Sequence, residues 1–225
     1  MSNVVRGSAR LFLIVAGFGI FGFVAFEPPR IACGEEAADP PKIIRVEEDW
    51  VLEVDVPDAD NTAPQITCVF APTADVDFAY AEFAVNHHSQ PSFVPGGLQL
   101  LVWSGGTPIV VNNDPDGGVL RLPNESITWT QALHLGDDSI LTFSVRNGRS
   151  QTWSNFGDDG RLSIRTVAPL NNLNEYETEV SVKNSGIGFA SNRVGVLKIV
   201  AVRRFADDGR VFVDDAEHVV YEHPQ

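Results

Sequence analysis

The sequence lacks the short motifs by which the common enzyme classes are identified. It contains no Gly-x-Ser-x-Gly nucleophile turn, no phosphate-binding loop and no dinucleotide-binding fingerprint. Cysteine occurs only at Cys33 and Cys68, and no cysteine or third histidine lies close in sequence to the His87-His88 pair. Adjacent strand residues also point to opposite faces, which argues against a zinc site there.

The sequence also lacks a hydrophobic run of the usual transmembrane length. Its longest run, Leu11–Phe26, has sixteen residues and three glycines, whereas a spanning helix needs about twenty apolar residues. Arg6 and Arg10 precede the run and a polar, proline-containing segment follows it, so we predict a secretory signal cleaved after Gly34. A retained anchor is the alternative. Lipid attachment at Cys33 is disfavoured, because Arg30 stands where the lipoprotein motif has leucine. We therefore expect an exported protein that is secreted, periplasmic or at the cell surface.

Basic residues are scarce, with 16 Lys and Arg against 30 Asp and Glu. Removal of residues 1–34 takes three arginines and one glutamate, which leaves 191 residues with a net charge of −16. Such a surface repels nucleic acid and anionic lipid, and it suits cations or a neutral ligand. Only Cys68 would remain, so we expect no intrachain disulfide and a small buried residue there.

Apolar and polar residues alternate along most of the remaining chain, which is typical of half-buried strands. Turn-forming clusters separate these segments, and no amphipathic helix stands out. We predict an acidic linker at 35–42 and one all-β domain at 43–225, an antiparallel, two-sheet, jelly-roll-like β-sandwich. The predicted strands are Trp50–Val56, Gln65–Phe70, Phe78–Asn86, Leu98–Ser104, Pro108–Val111, Val119–Leu122, Ser126–Ala132, Leu141–Arg146, Arg149–Trp153, Arg161–Thr166, Glu175–Lys183, Val194–Phe205, Val211–Val213 and His218–Tyr221.

Asn147-Gly148 is the strongest hairpin signal in the chain, because both residues tolerate the positive φ of a type I′ turn. A two-residue loop would place Trp153 on a polar face, as a sugar-stacking platform or partly buried under a neighbouring loop. A three-residue loop with a bulge would instead put Trp153 beside Phe143 in the core. The side chains that share the polar face under the first register are Thr142, Ser144, Arg146, Arg149, Gln151 and Trp153.

Three segments resemble the concanavalin A-like lectins and glucanases, which are jelly-roll sandwiches. They are Gly97-Leu98-Gln99-Leu100, the Thr142–Trp153 hairpin, and Gly186-Ile187-Gly188-Phe189 before a long apolar strand. The resemblance implies one concave sheet that binds a sugar and, often, a structural calcium ion. The candidate ligand-binding residues are Trp153, Gln151, Arg146, Arg149, Trp103 and Gln99.

The enzymes of that fold use Glu-x-Asp-x-(x)-Glu on one strand, because period two puts both carboxylates on the same face. Glu175-Tyr176-Glu177-Thr178-Glu179 has this spacing, but Glu177 stands where the motif has Asp. Glu53-Val54-Asp55 begins like the motif, and Asp58 then falls inside a turn. Whether the protein is an enzyme stays uncertain, and catalysis is the less favoured outcome.

The Asn112–Gly118 loop concentrates oxygen ligands suited to calcium, with Asn112, Asp114 and Asp116 as candidates. The same residue types form turns without a metal, and that alternative is favoured.

We expect an exported binding or surface-interaction module whose partner is a carbohydrate or a cell-surface polymer. The first alternative is a structural envelope or matrix protein without a small ligand, and the second is a glycoside hydrolase or lyase. The oligomeric state is not predicted by the sequence.

We expect the Leu11–Phe26 segment to be absent from the exported protein, because its length and flanks are those of a signal peptide. N-terminal sequencing of exported material checks this. A mature chain that begins at Met1, or one that carries a lipid on Cys33, would contradict it.

Overall fold

A computed structural model describes residues 40–55, 64–75, 78–89, 94–114 and 116–224. The predicted signal, its cleavage site, residues 35–39 of the linker and the predicted turn position of Asp58 lie outside this part. Pro40–Gln225 form one compact unit. In the described residues, no helix is long and apolar enough to cross a membrane.

The described chain is built almost entirely from strands. They are β1 (Ile43–Val54), β2 (Gln65–Phe70), β3 (Tyr80–Val85), β4 (His88–Ser89), β5 (Val94–Pro95), β6 (Leu98–Ser104), β7 (Thr107–Asn113), β8 (Glu125–Leu135), β9 (Ile140–Ser150), β10 (Ser154–Phe156), β11 (Ser163–Val167), β12 (Gly186–Phe189), β13 (Val194–Ala206), β14 (Val211–Asp214) and β15 (His218–Glu222). One helix, α1 (Thr178–Asn184), and a 3₁₀ turn, Ser191–Arg193, precede β13.

The strands form two main antiparallel sheets, so the predicted all-β sandwich is confirmed. The larger sheet has the order β10-β9-β8-β1-β13-β14, with β11 also paired to β9 and β15 to β13. The smaller sheet has the order β12-β2-β3-β6-β7. β4 and β5 pair separately. β13 is paired along both of its edges, as its long apolar sequence predicts.

Alternation along each strand sends one set of side chains into the space between the sheets. From the larger sheet, Trp50 and Trp129 stack with ring centroids 5.9 Å apart and planes 7° apart. Phe83 of the smaller sheet meets Trp129 edge-on at 5.6 Å. Cys68 is fully buried, as predicted. Each large apolar side chain buried in this way contributes about 1.5–3 kcal/mol.

The predicted hairpin at Asn147-Gly148 is wrong, because β9 continues through both residues to Ser150. The positive φ of Asn147, 54°, is used in a bulge. Between the pairs Thr128↔Arg149 and Thr130↔Arg146, β9 has one residue more than β8. A Cβ atom on Gly148 would lie 2.3 Å from the ring of Phe156, so only glycine fits there.

Two other predicted strands do not form. Val119–Leu122 is irregular, although Leu120 is fully buried and its amide donates to Oδ1 of Asn86 at 3.1 Å. The segment predicted as the strand Glu175–Lys183 instead forms the seven-residue helix α1. Glu179 in its first turn and Lys183 in its last turn suit the helix dipole. Seven residues are too few for a clear helical period, which is why the sequence did not reveal it.

A buried carboxylate joins α1 to the larger sheet. Glu48 points into the core, is 2% exposed, and accepts a hydrogen bond from Tyr176 Oη at 2.6 Å and another from Ser181 Oγ, both at Oε1. Its Oε2 accepts from Trp50 Nε1 at 2.9 Å and Gln131 Nε2 at 3.2 Å. Burial raises the pKa of Glu48, and these four donors oppose that rise.

We expect Glu48→Leu to destabilise the protein by at least about 3 kcal/mol, because it leaves several buried donors without an acceptor. Glu53→Leu, an exposed position on the same strand, is the matched control and should change stability by less than about 0.5 kcal/mol. Urea unfolding gives the free energy of unfolding of both variants and of the unchanged protein. Equal costs would show that the Glu48 contacts do not hold α1 in place.

Candidate functional site

Trp153 is buried in the core and is not a surface platform. It is 3% exposed, and its Nε1 donates to the carbonyl of Gly118 at 3.0 Å. The register that placed it on a polar face is wrong, because the chain reverses at 151–153 rather than at 147–148. Arg149 and Gln151 are exposed. Arg146 is held by Glu47, with 2.7 Å between Nη2 and Oε1.

Glu125 fixes this reversal of the chain. Its Oε1 accepts from Ser150 Oγ at 2.6 Å and from the amides of Gln151 and Thr152 at 2.8 Å. Its Oε2 accepts from Thr152 Oγ1 at 2.6 Å. The turn therefore depends on a carboxylate 25 residues earlier in the sequence. No local pattern around residue 150 indicated that contact.

Trp103 and Gln99, the other two predicted ligand residues, do share one face. Both lie on β6 and point away from the core, on the outer face of the smaller sheet. Across the β3–β6 ladder, Tyr80 lies opposite Trp103 and Ala84 opposite Gln99. The rings of Tyr80 and Trp103 stack with centroids 6.2 Å apart and planes 11° apart, and both residues are half-buried. This face therefore presents an aromatic pair at one end.

Polar groups also lie on the same face, among the apolar side chains of Ala84 and Leu101. Gln99 Nε2 donates to Asn113 Oδ1 at 2.7 Å and lies 3.2 Å from Nε2 of His87. Glu82 stands between the two ends, opposite Leu101. Burial raises the pKa of Glu82, and the nearby indole N–H of Trp103 opposes that rise. We call Tyr80, Glu82, Gln99, Trp103 and Asn113 the outer-face site.

Three members of the outer-face site, Tyr80, Glu82 and Asn113, were missing from the candidates chosen by sequence. Tyr80 and Glu82 have the same period-two parity as Trp103, but on another strand. Pairing β3 with β6 in antiparallel register would have placed them beside it. Asn113 needed the β6–β7 register as well.

The outer face of the larger sheet is different, because its charged groups bind one another. Arg203 donates to Asp49 Oδ1 at 2.8 Å and to Glu47 Oε2 at 3.1 Å. Thr130 Oγ1 also donates to Asp49 Oδ1, at 2.8 Å. Burial raises the pKa of Asp49, but the hydrogen bonds from Arg203 and Thr130 and the charge of Arg203 outweigh burial, so this pKa is lowered. Asp49 therefore stays charged within an ion-paired surface.

Each of the three candidate calcium ligands makes a hydrogen bond within the protein. Asn112 Nδ2 donates to the carbonyl of Ser163 at 2.7 Å, on β11. Oδ1 of Asp114 accepts from the amide of Asp116 at 2.9 Å, and Oδ1 of Asp116 accepts from the amide of Gly118 at 3.0 Å. These contacts form two successive turns of the aspartate type. In the described residues, no group of three or more His, Cys, Asp or Glu side chains is arranged to hold a metal ion.

Asp114 and Asp116 nevertheless line a surface pocket of about 340 Å³. Across this pocket lies the turn that contains Asp158, Asp159 and Arg161, where Arg161 pairs with Asp159 at 3.2 Å. The pocket is therefore acidic, with one of its charges neutralised.

Glu175, Glu177 and Glu179 do not share a strand face, whereas Glu53 and Asp55 are both exposed and line one surface pocket. Glu175 and Glu177 precede α1, and Glu179 lies within it. Glu53 is in β1 and Asp55 just follows it, whereas Asp58 lies outside the described residues.

The chain matches no protein-family model, and no curated protein or solved structure is significantly similar to it.

Calcium binding by the 112–118 loop stays a prediction. If an ion binds there, excess chelator at fixed ionic strength should lower the melting temperature, because binding to the folded state stabilises by about 2.7 kcal/mol at 100 times Kd. Asp114→Asn keeps the oxygen that accepts from Asp116 but removes the charge, so it should abolish the response. An unchanged melting temperature on chelation would show that this loop holds no calcium ion.

Proposed function

We propose that the protein is an exported binding module that takes a neutral carbohydrate on the outer-face site. The observation that carries the proposal is the half-buried Tyr80–Trp103 stack beside Glu82 and Gln99 on a regular sheet face. The proposal keeps two of the residues chosen from sequence and replaces the Trp153 platform.

The aromatic pair suits the apolar face of a sugar ring. Tyr80 and Trp103 provide a broad, rigid surface, and each carries a polar group at its edge. Stacked side by side in neighbouring strands, they orient one another with little loss of side-chain freedom on binding. A flat ligand with one apolar face is the chemistry that such a surface recognises.

The polar members suit hydroxyl groups. The Glu82 carboxylate accepts hydrogen bonds, while the amides of Gln99 and Asn113 both donate and accept. Their mutual contact of 2.7 Å holds these amides in place before a ligand arrives. Binding sites of this composition combine an apolar surface with a few fixed polar groups.

The charge of the chain favours a neutral ligand over an acidic one. The whole sequence carries −14, and Glu82 lies at the centre of the site. An acidic polymer would be repelled on approach and again on contact. The concanavalin A-like resemblance agrees with a sugar ligand and stays a prediction.

The main alternative is a structural envelope or matrix protein without a small ligand. Exposed apolar side chains on β7 and β14 favour it, since such patches often mark contacts between proteins. Hydrolase or lyase activity is the least favoured function, because Glu175, Glu177 and Glu179 lie before and within α1 rather than along one strand.

We expect the protein to bind neutral glycans on a glycan array and Trp103→Ala to lose that binding at least tenfold, because the stacking surface is removed. Affinity for the best array glycan is then measured by calorimetry for both proteins.

Phe212→Ala is the matched control, because it removes an exposed aromatic from β14 of the other sheet and should leave affinity unchanged. Gln99→Ala should weaken binding without changing the fold. Binding that survives Trp103→Ala, or an array with no neutral glycan bound, would overturn the proposal.

A further inference from the structure

The strand β7 is exposed over almost its whole length. It lies at one end of the smaller sheet and, in the described part of the chain, pairs only with β6. Ile109, Val110 and Val111 are 46, 39 and 47% exposed, so apolar groups lie open on both faces of the strand. An exposed, apolar edge strand is a template for pairing with another chain.

The backbone of β7 also has hydrogen-bonding groups that face away from β6. The amide of Asp114 donates to the carbonyl of Leu98 at 2.9 Å. In an antiparallel ladder the direction alternates, so the amides of Asn112 and Val110 also point to β6. The amides of Val111 and Asn113 therefore point outward, whereas Ile109 is the extra residue of a bulge and has no partner in β6.

The other sheet ends carry features that limit such pairing. β10 has three residues and β12 four, and the register of β12 is interrupted by a bulge. β14 has four residues, with Arg210 just before it and Asp214 at its end. In β7, Pro108 and the bulge at Ile109 limit pairing only at the first end. Residues 110–113 have no such feature.

Charge indicates what occupies this edge. The seven residues of β7 include no charged side chain, in a protein with a net charge of −14. Two copies of such a protein repel one another over most of their surfaces. A neutral, apolar strand is where they can approach without bringing like charges together.

We propose that β7 is the interface of a two-fold homodimer, in which the β7 strands of two copies pair antiparallel and join the smaller sheets. Centred on Asn112, this pairing aligns Val111 with Asn113 of the second copy, so the outward amides of both strands find acceptors and the bulge is not used. Asp114 then lies beside Val110 of the second copy, an uncharged residue. A parallel arrangement would put the two Asp114 carboxylates together.

Light scattering coupled to size exclusion tests this on the full chain, expressed with its N-terminal segment so that any processing takes place in the cell. The expected result is twice the mass of one chain, with more dimer at higher salt because screening reduces repulsion between copies. Val111→Lys and, separately, Asn113→Lys should raise the dimer dissociation constant about tenfold or more, since each puts like charges near one another across the two-fold axis.

Val211→Lys is the matched control, because Val211 is also an edge-strand valine and is 49% exposed, against 47% for Val111. It should leave the dimer intact, and circular dichroism should show the same fold for all three variants. A monomer at every salt concentration would overturn the proposal. So would a dimer that survives both β7 substitutions or dissociates on Val211→Lys. Trp103→Ala separates this inference from sugar binding, because it should keep the dimer.

Discussion

The arrangement of this sandwich depends on a glutamate buried between its layers. Glu48 takes two donors from the α1 region and two from the larger sheet. A carboxylate in the core is tolerated only when its oxygens are well satisfied, so these donors must be held together. That requirement brings the segment before β12 against β1 and lets α1 pack on β2. Because β2 pairs with β3, it also supports the strand that carries Tyr80 and Glu82.

Glu48 and Asp49 show how strand parity decides the chemistry of neighbouring residues. Glu48 points inward, where burial raises its pKa despite four hydrogen-bond donors. Asp49 points outward, where the hydrogen bonds and charge of Arg203 more than offset partial burial and lower its pKa. The two carboxylates are one residue apart and differ mainly in surroundings. A shift of one residue in β1 would exchange their positions and bury Asp49 without its arginine.

The sequence predicted most strands because period-two alternation depends only on neighbouring residues. Leu98–Ser104 and Gln65–Phe70 were predicted with the observed bounds. The Asn147-Gly148 error has a clear physical origin: positive φ serves a bulge as well as a turn, and only the pairing with β8 distinguishes them. The true reversal depends on Glu125, and α1 depends on Glu48, both distant in sequence. Three of the five members of the outer-face site were likewise hidden, because strands β3, β6 and β7 bring them together only through their pairing registers.

The two outer faces of the sandwich explain why the smaller sheet is the better candidate for ligand binding. On the larger sheet, Arg203 and Asp49 already satisfy one another, and a ligand that engaged either residue would first have to break that pair. On the smaller sheet, Trp103 and Tyr80 present a stacked aromatic surface instead of an ion pair. The amide contact there, between Gln99 and Asn113, leaves each amide with further donor and acceptor capacity. A neutral ligand therefore spends less binding free energy on breaking existing contacts on this face than it would on the ion-paired face.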